Sequence, residues 1–392
     1  MLRRIAAVVV TLIALVAAVR LVAPQQDPAG VRSQLTFLRS ALDDGSAADA
    51  QKLFPEGYFF SYALYGLAQV DLGNAAEARW ALSHLTSPAG RAPFDAGLTP
   101  AYGVFYQGWT NWLRGGILSL EADPRLSAEF TASSAALAAA FDASVTPYLP
   151  AYPGQAWPVD STVAIASLRL HDKLLAPRYE ATVARWLAGA GARLDPSTGL
   201  MPHTVDPASG SPTSVARGTS QSIIQRFLVD IDPAFARSQY LVFRSRFVYR
   251  PLGLGPAIRE YPSGREYPSG VSGAGDVDSG PLVLGASLSA TAVTLGAARV
   301  HGDTRLAGAL ANYGELLGVP VSTPWSQRFA GGALPIGDTF LAWSKTARPW
   351  VSAPVPVTPA GPPWWWRVPL LAGLALLVLL GWIVNAKRSI HA

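Results

Sequence analysis

Between Val31 and Trp350 the apolar residues recur at helical rather than alternating spacing, and Gly, Pro, Asp and Ser interrupt them at intervals. The spacing predicts twelve helices, near 31–44, 59–72, 75–86, 101–121, 126–142, 160–172, 178–192, 218–230, 233–246, 279–299, 303–317 and 336–347. Some boundaries are readable directly. Asp160-Ser161 opens one helix, Asp232-Pro233 puts Pro at a first helical position, and Gly73-Asn74 separates two others. No stretch has the strand and turn spacing of a sandwich or propeller. With 36 Gly and 32 Pro, a continuous rod is excluded too.

Twelve helices in antiparallel hairpins suit either a superhelical array or an (α/α)6 toroid. The array needs a period, and nothing recurs at about 34 residues after the one hairpin at Leu67–Leu82. Long connections at 146–159, 194–217 and 247–278 better match a toroid whose loops gather around one mouth. The expected fold class is therefore all-α, an (α/α)6 toroid of helical hairpins flanked by two terminal membrane helices.

The ends are apolar. Ile5 to Val19 carries no charge and follows Arg3 and Arg4, which reads as a signal peptide or an uncleaved signal anchor within residues 1–30. Val368 to Val384 is likewise uncharged, follows Trp364-Trp365-Trp366, and is closed by Lys387-Arg388. With basic residues on the cytoplasmic side, both termini point inward and the 31–350 domain lies outside. Five prolines in Pro354–Pro363 predict a stalk over 351–363, ahead of the membrane helix and tail at 364–392.

The net charge of +5 belongs to these flanks, and the body between them holds as many acidic as basic residues. Nucleic acid is therefore not an expected partner, whereas the membrane is. With no Cys, thiol and disulfide chemistry are excluded. No cofactor or metal motif is present, and an Asp276/Asp278 calcium loop lacks its distal Glu.

The long loops hold the chemistry. Asp276 and Asp278, in a Gly-rich turn before an expected helix near 279, could bring two carboxylates together beside Glu260, or serve as cap and turn residues. His203 is either a proton carrier or a structural hydrogen-bonder. Arg217 and Arg259 are anion clamps, and Asp160 is an N-cap that could also face a ligand. Trp157 and Tyr261 offer stacking faces. Tyr106 and Trp109 belong to a helical aromatic stripe that is either core or a substrate wall. The hexapeptide Arg-Glu-Tyr-Pro-Ser-Gly occurs twice in tandem, from Arg259 and from Arg265, so one copy reads as an insertion.

The helix count, Trp157-Pro-x-Asp160-Ser161, the Asp195-Pro-x-Thr198-Gly-Leu-Met-Pro-His203 loop and the Gly275-Asp-Val-Asp-Ser-Gly280 turn together resemble the six-hairpin (α/α)6 toroids. That superfamily includes glycoside hydrolases, sugar epimerases, polysaccharide lyases and the linalool dehydratase/isomerase group. The resemblance covers roughly 31–350 as architecture. The cysteines associated with the last group are absent. The resemblance implies a pocket for a glycan or other small molecule, and with the terminal membrane segments and the loop carboxylates the expectation is a membrane-tethered extracytoplasmic enzyme acting on envelope carbohydrate as hydrolase, lyase or epimerase. A non-catalytic envelope scaffold would instead show the loop carboxylates scattered, and a hydrocarbon lyase or isomerase would need a mostly apolar cavity.

Overall fold

Short polar side chains start many of the helices. Asp123 accepts from the Arg125 and Leu126 amides, Asp232 from Phe235, Ser287 from Ala290 and Asp303 from Leu306. The computed structural model describes residues 2–23, 28–263, 275–357 and 361–389. In chain order its α-helices are α1 (Leu2–Val22), α2 (Pro28–Asp43), α3 (Ser46–Leu53), α4 (Gly57–Asp71), α5 (Ala75–Leu85), α6 (Pro88–Arg91), α7 (Gly103–Leu118) and α8 (Pro124–Ala143). They continue as α9 (Pro158–Leu174), α10 (Glu180–Gly191), α11 (Gly218–Ile231), α12 (Pro233–Phe247), α13 (Leu288–Val300), α14 (Thr304–Leu317), α15 (Pro335–Thr346) and α16 (Val368–Ser389). Two small antiparallel hairpins pair β1 (Val248–Tyr249) with β2 (Ala257–Ile258), and β3 (Val321–Ser322) with β4 (Gln327–Arg328).

The packing closes a ring. α4, α7, α9, α11, α13 and α15 each touch the next, and α15 returns to α4. Around them α5, α8, α10, α12 and α14 pack outside the inner helix they follow, while α2 closes the outer layer against α15 and α4. The body is an all-α toroid of six inner and six outer helices. Sequence explains the layers: α4 is buried on nearly every face from Phe59 to Val70, whereas α12 alternates buried and exposed positions. Small residues let the inner helices approach closely. A Cβ on Gly108 would lie 3.0 Å from Ala164 of α9, and one on Gly66 would lie 3.0 Å from the Ala81 Cβ of α5.

Aromatic rings plug the centre. Trp109 packs edge-on to Phe227 and Phe60 and beside Trp343, and Trp112 stacks on Trp350 at 4.7 Å. A Cβ on Gly116 would sit 2.5 Å from the Trp350 ring. Gly116→Ala is therefore expected to lower stability by about 1–3 kcal/mol through overpacking, read as a fall in Tm with unchanged helix content.

Twelve predicted helices have counterparts here, and two features differ. α3 and α6 are additional short helices. The helix expected from 279 begins at Leu288, because Gly280, Leu284 and Gly285 have positive φ and Val283 pairs with Ala286, so the apolar 281–287 run forms a turn. Asp276 and Asp278 consequently do not cap that helix.

α1 and α16 pack together, with Trp382 Nε1 donating to Thr11 Oγ1 at 3.1 Å. Arg4–Val22 and Trp364–Ile383 are long and apolar enough to cross a membrane. The proline segment expected to stand off as a stalk instead lies on the body where it is described. Val357 is buried against Tyr240 and Phe243, Arg237 donates to the Pro356 carbonyl, and Gly361 sits on Arg305. Extended proline-rich chain buries its apolar edges here because α12 and α14 offer a surface along its path.

Candidate active site

Each inner helix is entered from an outer one, so all six inner N-termini, and the connections leading into them, lie at one end of the toroid. The helix dipoles point their positive ends there. Val205 N–H donates to the Ala156 carbonyl at 3.0 Å, joining the 192–217 and 144–157 connections. Gly218 N–H donates to the Glu260 carbonyl at 2.8 Å, joining the 248–287 connection to the start of α11. A Cβ on Gly218 would lie 2.1 Å from the Arg259 carbonyl oxygen, so only glycine permits that approach.

Arg217, just before α11, is the hub. Its Nε donates to Glu260 Oε1 at 2.6 Å, and its Nη1 to Asp276 Oδ2 at 2.5 Å. Thr219 Oγ1 also donates to Glu260 Oε1, at 2.9 Å. The Tyr261 ring lies 5.5 Å from the guanidinium. Burial raises the Glu260 carboxyl and Arg217 opposes that shift. Desolvation pushes Asp276 upward as well, but hydrogen bonds from Arg217 and Ser279 hold it well below the ordinary carboxylate range, so it stays ionised. Among the described residues Glu260 Oε2 and Arg217 Nη2 are buried with no partner. Two unpartnered polar atoms on one buried ion pair are costly unless something else meets them.

His203 also touches this hub. Arg217 Nη1 lies 3.4 Å from Nε2, and Nδ1 lies 2.5 Å from Ser220 Oγ. A guanidinium only donates, so Nε2 is the acceptor and the ring proton sits on Nδ1, facing Ser220. Burial and the Arg217 charge lower the imidazole to about 3, which holds it neutral. Of the two roles expected for His203, proton carrier or structural hydrogen-bonder, these contacts to Ser220 and Arg217 are those of the second.

Opposite the hub is a second acidic group. Asp160 lies in the first turn of α9 but caps nothing, because Trp157 is the N-cap and no side chain bonds there. Asp160 is 5% exposed, and among the described residues no hydrogen bond reaches its carboxyl. Burial, then Glu56 and Asp278, raise it well above its ordinary value. Asp278 differs. It is solvent-accessible, yet surrounding protein, Asp276 and Glu56 push it up to about 6 against the pull of Arg217. Glu56, just before α4, accepts a short hydrogen bond from the Tyr152 hydroxyl. Burial and Glu56 raise that phenol, so it remains a donor.

Asp276, Glu260, His203, Arg217 and Tyr261 thus meet directly, and Asp160 senses the charge of Asp278. Trp157, half-buried, stands edge-on to Tyr152 at 5.8 Å beside this group. Arg259 does not join: neighbours in extended chain point oppositely, so Glu260 faces in and Arg259 stacks over Tyr249 at 3.8 Å. Tyr106 and Trp109, expected as a substrate wall, are core. Tyr106 hydrogen-bonds Arg91 and the Leu85 carbonyl, and Trp109 is 1% exposed in the central plug. The second hexapeptide, from Arg265, lies outside the described residues. Sequence reasoning missed Glu56, Tyr152 and Ser220. Among the described residues, no group of three or more His, Asp or Glu is arranged to hold a metal ion.

No family model and no curated protein matches the chain. Among solved structures it is similar to a selenomethionine derivative of a GH76 alpha-mannanase of Bacteroides thetaiotaomicron. The identity is 10% and the TM-score 0.45, over 73% of this chain and 84% of that one.

Proposed function

We propose that the protein is a membrane-tethered, extracytoplasmic enzyme that cleaves glycosidic bonds. The observation that carries this reading is the grouping of two carboxyls at one mouth, Asp160 buried and Asp278 water-accessible, close enough that Asp278 and Glu56 raise the Asp160 carboxyl. Glycoside hydrolysis needs one carboxylic acid to protonate the leaving oxygen and one carboxylate to activate water or attack the anomeric carbon. Asp160 takes the first role and Asp278 the second. Arg217, fixed by Glu260 and Asp276, holds a positive charge beside Asp278, while Trp157 and Tyr152 supply ring faces. Tethering rests on the two apolar helices, and topology on Arg3, Arg4, Lys387 and Arg388 flanking them.

The test is a screen of the full chain against envelope polysaccharides, oligosaccharides and lipid-linked saccharides, scored for new reducing ends and for unsaturated ends. Unsaturated ends would move the chemistry to elimination, and neither product would leave the carboxyl pair without this role. On a substrate that is turned over, activity should rise with pH through about 6, as Asp278 loses its proton, and fall at higher pH as Asp160 loses the one it must donate. Asp278→Asn should abolish the acid limb. A rate independent of pH between about 4 and 8 would rule out the Asp278 assignment.

A further inference from the structure

Scattered apolar side chains on a protein surface need no explanation, but confinement to one end does. Among the described residues from α2 to α15, the exposed large apolar side chains other than Leu241 stand at the mouth end. They include Leu252, Leu284, Leu317, Val319 and Trp325, which is 78% exposed in the β3–β4 turn. Val277 is exposed between Asp276 and Asp278, so the apolar rim and the acidic group share one turn.

The two membrane-length helices join the body at this same end. Asn312 of α14 donates to the Arg20 and Ala23 carbonyls at 2.8 and 2.6 Å, and Arg367 donates to the Leu21 carbonyl at 2.9 Å and to Asn312 Oδ1 at 3.1 Å. Further along, Arg20 Nη2 donates to the Pro320 carbonyl at 2.9 Å. Arg20 thus meets Asn312 through its carbonyl and, through its side chain, Pro320, which follows the end of α14 on the mouth side. Leu21, Trp366, Leu316 and Leu370 share one apolar cluster at this joint. The transmembrane pair therefore leaves past the rim, and the rim's apolar side chains continue the surface that the pair presents to lipid.

We propose that the mouth rests on the outer face of the bilayer, with Trp325 and its neighbours in the interface, and that the site takes saccharides carried on lipid. The substrate class rests on the glycoside reading above; the docking does not. A mouth pressed to the headgroups meets a lipid-linked sugar at the level of Asp278 and has little access to a polymer standing free in solution.

The chain has no Cys, so Trp325→Cys and Ala176→Cys each carry a single label. Ala176 is exposed in the α9–α10 connection, at the opposite end. The full-length variants, labelled with an environment-sensitive fluorophore, are placed in phosphatidylcholine/phosphatidylglycerol vesicles. The label at 325 should shift to the blue and be quenched by spin-labelled lipid, and that at 176 should be quenched only by iodide. Equal iodide quenching at both sites would overturn the docking. Shielding of 325 from both quenchers would also overturn it, in favour of a protein partner. Trp325→Ser should then reduce turnover of lipid-linked saccharides in those vesicles by about tenfold, without changing turnover of the same saccharides freed from their lipid. Equal loss on both would overturn the substrate class. No turnover of either, with 325 in lipid, would remove the glycoside reading and the substrate class with it, leaving the docking.

Discussion

Asp160→Asn and Asp278→Asn should each lower turnover by about 10²–10⁴-fold, the range for removing a positioned proton donor or acceptor. The two should differ in how they fail. Burial raises the Asp160 carboxyl and so favours its neutral form, which Asn matches in size and charge, and stability should hold. The loss should be smallest on glycosides whose leaving group needs no proton, because the acid's work is then unnecessary. Asp278→Asn should lose activity on every leaving group. It should also stabilise the fold slightly at neutral pH. Its raised folded value means that native protein holds this proton more tightly than unfolded chain, so the stability associated with that proton is lost as pH rises from about 4 through about 6. Asn cannot ionise and avoids that loss. Calorimetry at both ends of the window, beside turnover on good and poor leaving groups, reads all of this. Full turnover by either variant would remove the acid and base assignment.

What could be read beforehand follows from which forces act locally. The twelve ring helices were legible because burial on one side of a helix imposes a period that the sequence must carry. α3 was not, since eight residues hold barely two turns. The start of α13 was displaced because the apolar run Leu282–Leu284 is equally good turn filler, and only backbone geometry at Leu284 and Gly285 decides between the two. Polar residues in long loops, such as Arg217 and Glu260, stood out by composition. Their facing directions did not: Arg259 and Glu260 are adjacent and similarly polar, yet the bridge from Arg259 to Ala286 turns one outward and the other inward. Glu56 was silent because it sits in a short turn. It reaches the site through Gly57, where a Cβ would lie 2.2 Å from the Ala50 carbonyl oxygen, a contact that spacing does not reveal.

Arg217→Met tests whether the hub is a buried ion pair that the fold depends on. Glu260 is 0% exposed and receives Arg217 and Thr219 on one oxygen, with nothing on the other. Removing the cation leaves a buried carboxylate uncompensated, which should cost about 3–5 kcal/mol at neutral pH. The isolated carboxyl would then rise further above its unfolded value, so the variant should regain stability as pH falls toward about 4 and Glu260 takes a proton. The double variant Arg217→Met, Glu260→Gln should recover most of the loss at neutral pH, since no charge remains to bury. It should not recover turnover, because neither the guanidinium near the substrate nor the tie to Asp276 is restored. A loss below about 1 kcal/mol in Arg217→Met, the range of exposed pairs, would mean that water reaches Glu260 and that the hub is a surface bridge.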